Sequence, residues 1–327
     1  MSEQREETCF VRSNCQPVPG MKRFSHQAMA TTFEILVVHD DERYARQAAA
    51  AAFDEVDRLE DELSRFRENT DVTRINNLPA HQPLRIGLDV FQCLQASAQM
   101  YARTNGAFDV TVGSLVKCWR AEDGSPRTPS PEELERARLH TGTNLLELDE
   151  QEHTVQLSAS PVQVDLGGIG KGYAVDRVAE LLAEWSIETA LISGGYSSVL
   201  AMEAPPGTSG WPLTLSDPAD HKHVLARPHL RAASLSGSGV QKGGHIISPR
   251  TGQPVQGRRA AWSSAPDVTT ADALSTAFMI MDPDEIERYC SLHTDALALI
   301  ILQQENDPRQ KDTILHFGRW GKNVLLK

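Results

Sequence analysis

Between Val162 and Trp185 the chain changes its hydrophobic period abruptly. Val162, Val164 and Leu166 alternate with polar residues, as in a strand buried on one side, and glycines then stand at 167, 168, 170 and 172. From Gly172 on, Ala174, Val175, Val178, Leu181, Leu182 and Trp185 fall on one helical face. The pattern predicts a strand that enters a tight glycine turn and leaves it as a helix packed by one side. Ala190 to Ile192 then reads as a further strand, ending at Gly194-Gly195.

The flanking sequence does not repeat this order. Thr31 to Val38 is β-branched and apolar enough for a strand, and Asp40-Asp41 opens a long helix to about Leu63. Ser64 to Pro83 reads as polar loop, Leu88 to Thr104 as an amphipathic helix, and Pro126 to Pro131 as a turn before a short helix. Leu145 to Leu148 and Thr154 to Leu157 form an expected hairpin. Helices near Thr270 to Met281 and Pro283 to His293, then strands at Ala296 to Leu302 and Thr313 to Phe317, complete the pattern. So uneven an order predicts an α+β fold rather than a doubly wound sheet. With no internal repeat and no sharp shift in composition, the expected organisation is a flexible tail over 1–22 and one domain over 23–327.

The 327 residues carry a net charge of −12, which disfavours a surface for nucleic acid but leaves room for a local basic pocket. The first 20 residues are charged and polar throughout, unlike an export signal, and no later stretch approaches a membrane span. Five cysteines without CxxC spacing fit a reducing compartment. A cytoplasmic protein without a transmembrane segment is the expectation.

Several segments can carry chemistry. In Asp165-Leu166-Gly167-Gly168-Ile169-Gly170-Lys171-Gly172, free amides at a helix start and the Lys171 charge favour an anion, although a tight packing turn explains the glycines equally. It is not a P-loop, because Asp165 replaces the first glycine and Gly172 the Ser/Thr, nor is it a dinucleotide fingerprint. On a helix, Asp272, Ser275 and Thr276 share a face and can present oxygens to a hard cation, or Asp272 can complete a cap begun at Thr269. His245 is a candidate general base or a structural histidine; Ser248 to Gly252 reads as a turn, and Gly194-Gly195 as a bend. Asp109 beside Phe108 can hydrogen-bond a heterocycle or stay solvated.

Taken in order, these segments resemble the ApbE-like flavin transferases, the FAD:protein FMN transferase family. The resemblance runs through Ala28 to Phe33, Leu63 to Phe66 with Arg74-Ile75-Asn76, Gly106 to Gly113, Val164 to Asp176, Ser193 to Gly195, His245 to Pro254 and Ala271 to Thr276. It implies a single T-fold-like domain of antiparallel sheets flanked by helices, with FAD as substrate and Mg²⁺ or Mn²⁺ as cofactor. The FMN half of FAD would pass to a Ser or Thr hydroxyl of an acceptor protein, with release of AMP. By motif position Met29 and Phe66 would flank the flavin, and Ala107, Phe108 and Asp109 would contact FAD. Asp165 and Lys171 would contact its adenosine or phosphate part, and Ile247 would line the site. Gly168, through its carbonyl, with Asp272, Ser275 and Thr276 would hold the cation, and His245 would be the base. The chain departs from the family pattern at Phe66 (often Tyr), Ala30 (Gly), Tyr196 (Asp or Asn) and Ser248 (Asp). Hydrolysis of FAD to FMN and AMP, or FAD binding without turnover, are the competing expectations.

Overall fold

The computed structural model describes residues 10–121, 123–241, 246–303 and 312–321. Strand β1 (Val11–Ser13) precedes a hairpin of β2 (Met21–Ala28) and β3 (Thr31–Val38). Helix α1 (Glu42–Leu63) follows, its first turn capped by the Asp41 side chain, which accepts from Tyr44 N, and its Ala45, Ala49, Ala52, Val56, Leu59 and Leu63 stripe buried. Next come α2 (Asp71–Asn76), β4 (Leu84–Arg85), α3 (Leu88–Arg103), α4 (Gly113–Cys118) and α5 (Pro131–Leu139). The hairpin of β5 (Leu146–Asp149) and β6 (Thr154–Leu157) leads to α6 (Gly170–Glu184), β7 (Ala190–Gly194) and β8 (Ser198–Ala201). Four strands follow: β9 (Trp211–Asp217), β10 (Asp220–Ala226), β11 (His229–Leu230) and β12 (Ala233–Gly239). The chain then forms β13 (Arg258–Ala265), α7 (Val268–Phe278), α8 (Pro283–Leu292), β14 (Leu297–Leu302) and β15 (Thr313–Phe317).

Eight strands form one antiparallel sheet in the order β15-β14-β13-β12-β8-β7-β3-β2. Both faces are buried, which is why β3, β7 and β14 carry apolar runs. Ile35, Ile192 and Ile300 face a core shared with α1, α3, α6 and α7, while their neighbours Leu36, Leu191 and Leu299 face a second core built on β9. Trp262 is wholly buried in that second core, and its Nε1 donates to the Phe10 carbonyl at 2.9 Å. The fold is thus α+β and antiparallel, as expected, with helices on one face of the main sheet and a small sheet of β1, β9, β10 and β11 on the other.

The expected flexible tail over 1–22 is corrected from Phe10 onward. Val11–Ser13 pairs with Leu213–Leu215, and Phe10 is buried edge-on against Trp262, their centroids 6.1 Å apart. Burying that aromatic side chain contributes about 1.5–3 kcal/mol, enough to hold a short terminal strand. Ser64 to Pro83 is not all loop either: α2 starts where Thr70 accepts from Thr73 N. The strand expected at Val162 to Leu166 is absent. Its alternating side chains are buried, but Val164 exchanges both backbone hydrogen bonds with the Asn76 side chain. The segment meets residues 110–113 at an isolated bridge, Val112 to Gln163, with Gly113 N donating to the Gln163 carbonyl and Asp165 N to the Val110 carbonyl. Among the described residues no helix is long and apolar enough to cross a membrane.

Candidate active site

Strand register gathers the candidate residues at one end of the main sheet. Phe33 pairs with Gly194, Gly194 with Ser198, and Ser198 with Ser236, so the β2–β3 turn, the β7–β8 turn and the far end of β12 lie side by side. Met29 and Ala30 form the β2–β3 turn with φ of 50° and 56°, the left-handed region a two-residue hairpin requires. Gly195 has φ 66°, and a side chain there would sit 2.5 Å from Thr31 Oγ1. Glycine is required at that turn by both backbone and space.

Helix α7 lies across the same end, and β12 reads it out with one hydroxyl every second residue. Ser234 Oγ donates to the Asp267 carbonyl at 2.8 Å, Ser236 Oγ to Asp272 Oδ1 at 2.9 Å, and Ser238 Oγ lies 2.8 Å from Ser275 Oγ and 3.2 Å from Thr276 Oγ1. Two strand residues advance about 6.6 Å and three to five helical residues about 4.5–7.5 Å, so the two repeats stay roughly in step. These serines were not among the sequence candidates, although the alternation Ser234-x-Ser236-x-Ser238 was there to be read as one strand face.

Asp272 is only 3% exposed. It takes no part in its own helix cap, which is made by Asp267 accepting from Thr270 N, so the capping alternative is corrected. Its Oδ1 accepts from Ser198 and Ser236, and its Oδ2 accepts from Gly172 N at 3.1 Å and lies 3.9 Å from Lys171 Nζ. Gly172 N is one of the amides left without a partner at the start of α6, so a carboxylate from α7 caps α6. The reverse also holds: Asp176 of α6 accepts from Val268 N at 2.9 Å and from Thr269 N at 2.7 Å, the first amides of α7. The helices can come this close because Gly172 lacks a side chain; a Cβ there would stand 2.5 Å from the Val268 carbonyl oxygen.

Burial pushes the Asp176 carboxyl up to about 6, against the opposing pull of its hydrogen bonds from Thr269 and Val268. Its contribution to stability is therefore complete below the ordinary aspartate value of about 4 and is lost as pH rises through about 6. The expected loss is on the order of 2–3 kcal/mol. Asp176→Asn stays neutral and should flatten this part of the stability profile, measured by urea unfolding between about pH 4 and about pH 7. An unchanged slope in the variant assigns the titration elsewhere.

The glycine loop meets the oxygen face of α7. A Cβ on Gly168 would be 3.1 Å from Thr276 Oγ1 and 3.3 Å from Phe108 Cε2, so Gly168 lies close against both Thr276 and Phe108. Asp165 closes the loop by accepting from Gly167 N at 3.0 Å, and Arg65 Nε pairs with the same Oδ1 at 3.2 Å. The Arg65 guanidinium in turn lies 4.4 Å from the centroid of Phe66, which is 82% exposed at the head of a tight turn. A large aromatic ring presented to solvent is a stacking surface, with one face on Arg65.

The remaining sequence candidates separate by what their side chains are free to do. Ala107 and Phe108 are buried in the main core. Asp109 is buried too, and its carboxylate is taken up by Thr111 N and Oγ1 and by Thr143 N and Oγ1. Burial raises its pKa, opposed by those hydrogen bonds. It is not solvated, and its Oδ1 is fully engaged by the two threonines. Ile247 packs with Leu115 and Ala137 in a small core, bridged to Pro254. The Ser248 to Gly252 turn is tied down by Arg250, which reaches Glu285 Oε2 and the Thr104 carbonyl at 2.8 Å each. His245 lies outside the described residues, between β12 and Ile246.

All candidate cation ligands are oxygens, and among the described residues no three His, Cys, Asp or Glu side chains are grouped so as to hold a metal ion. One buried carboxylate with two hydroxyls and a carbonyl suits a hard divalent ion that completes its shell with substrate phosphate and water. Asp272 retains acceptor capacity on Oδ2 after its three hydrogen bonds, so the donor set fits such an ion.

Known proteins point the same way. The profile of the ApbE family matches residues 29–301. A Klebsiella pneumoniae protein named FAD:protein FMN transferase is 26% identical over 91% of this chain and 91% of its own length. A Haemophilus influenzae protein of that name is 27% identical, with 88% of each covered. Among solved structures, the ApbE protein of Thermotoga maritima is 28% identical with a TM-score of 0.79, covering 91% of this chain and 97% of that one. The apo flavinyl transferase ApbE of Pseudomonas stutzeri is 25% identical at the same TM-score, with 91% and 94% covered. With a family profile spanning most of its length and its fold shared over nine-tenths of the chain, this protein belongs to the ApbE family.

Proposed function

We propose that the chain moves the FMN half of FAD onto a Ser or Thr hydroxyl of an acceptor protein and releases AMP. The observation that carries this reading is the meeting of the Gly168 to Gly172 segment with Asp272 and Thr276 of α7. In the reaction the acceptor oxygen bonds to the FMN phosphorus, the bridging P–O bond of the pyrophosphate breaks, and AMP leaves with the bond electrons.

Asp272, Ser275, Thr276 and the Gly168 carbonyl would hold a Mg²⁺ or Mn²⁺ ion. When bound, such an ion lowers the charge on the pyrophosphate and stabilises the departing AMP. Lys171 adds a fixed positive charge beside Asp272 and favours the phosphates over neutral ligands. Phe66 would stack the isoalloxazine, with Met29 on the adjoining turn. Ala107, Phe108 and Asp109 have buried side chains, so their part is to shape the wall behind Gly168 and to offer backbone groups. Asp165 holds the loop and orients Arg65, and Ile247 anchors the segment after His245. His245 would take the hydroxyl proton, since a hydroxyl at neutral pH is a poor nucleophile without a base.

Mass spectrometry tests the reading directly. Purified protein, FAD, Mg²⁺ and an acceptor flavoprotein are expected to yield AMP and an acceptor peptide heavier by the FMN moiety. AMP with free FMN indicates hydrolysis instead, and unchanged FAD rules out both reactions.

A further inference from the structure

A cavity of about 150 Å³ lies beside the glycine loop, lined by Arg65, Lys117, Asn76, Asn77 and Gln163. The rest of its wall is neutral and fixed: Gln163 Nε2 donates to the Asn76 carbonyl at 2.8 Å, and Asn76 is held by Val164. Its two cations are poorly compensated. Among the described residues Lys117 has no carboxylate partner and bonds only the neutral Gln163 Oε1, while Arg65 is paired through Nε alone. Partial desolvation, and then the charge of Arg65, lower the Lys117 pKa from the usual lysine value. Two like charges facing one polar cavity repel each other, and an anion between them would offset that repulsion.

We propose that this cavity is an oxyanion subsite that holds one carboxylate or phosphate group of a reactant between Arg65 and Lys117. Arg65 links the cavity to the candidate site, because the same guanidinium touches Phe66 and Asp165. The occupant is then either a phosphate of the dinucleotide or an acidic side chain of the acceptor protein. Naming those two sources rests on the transfer reading; the existence of the subsite does not.

The test exchanges chloride for inorganic phosphate at constant ionic strength, followed by calorimetry and by the unfolding midpoint, with no flavin present. Saturable binding is expected in the native chain, weakened about 10- to 100-fold in Lys117→Gln and in Arg65→Gln, the loss of one charge-assisted hydrogen bond. Lys117→Gln keeps a donor for Gln163 and removes only the charge, so it is the variant least exposed to folding defects. Phosphate binding that is the same in the native chain and both variants overturns the subsite, whatever the transfer assay shows. Weaker FAD binding in Lys117→Gln identifies the anion as the nucleotide's. Unchanged FAD binding with a raised KM for the acceptor identifies it as an acceptor carboxylate.

Discussion

Asp272→Asn is expected to lower the rate of FMN transfer by roughly 10³-fold or more, the scale of removing several kcal/mol of charge stabilisation from a phosphoryl centre. The substitution keeps volume and leaves an oxygen for Ser198 and Ser236, but its amide cannot accept from Gly172 N. A stability loss of about 1–3 kcal/mol should accompany it, so unfolding must be measured alongside the rate. FAD binding should weaken much less than the rate, because the stacking surface at Phe66 and the charge of Lys171 remain. AMP release followed in time, with FAD affinity measured separately, separates the two effects. A variant with native turnover would falsify the cation site.

His245→Ala is expected to slow transfer by roughly 10²- to 10⁴-fold while FAD still binds, the usual scale for loss of a general base. The described residues on either side of His245 are held by their backbones. Val240 N donates to the Arg259 carbonyl at 3.2 Å before it, and Val255 N to the Ile246 carbonyl at 3.0 Å after it. Val240 stands two residues after Ser238, which is itself bonded to Ser275 and Thr276. The acid limb of the rate profile between about pH 5 and about pH 8 should flatten in the variant, because histidine is the side chain that ordinarily changes charge there. A variant that keeps both the native rate and the native profile assigns the proton to another group.

The parts of the fold legible in the sequence were those with many repeats of one period. Helix α1 announces itself over six turns, and the stripe from Ala174 to Trp185 marks α6. Helix α2, with six residues, is too short to show a period, and only its Thr70 cap signals it. Val162 to Leu166 shows the period of a strand because its side chains are buried alternately, but hydrogen bonding belongs to the backbone, and there Asn76 took the place of a neighbouring strand. Strand β1 depends on a partner some two hundred residues away, which no local pattern encodes.

At the site, the face shared by Asp272, Ser275 and Thr276 was readable from helical spacing alone, whereas its serine supports from β12 needed the sheet order. Asp109 was misplaced because a polar residue beside an aromatic looks solvated until Thr111 and Thr143 are seen to surround it. Asp176 was invisible as a functional residue for the same reason: its partners are backbone amides of a helix ninety residues on.

The exchange of carboxylates between α6 and α7 sets a rule for anyone who would move this centre into another protein. Transplanting residues 165–184 alone would leave Asp176 facing a stranger, and transplanting 267–278 alone would bury Asp272 against a helix start that does not offer its amide. The two segments form a single graft, to be carried together with the serine-bearing strand beneath them or not at all.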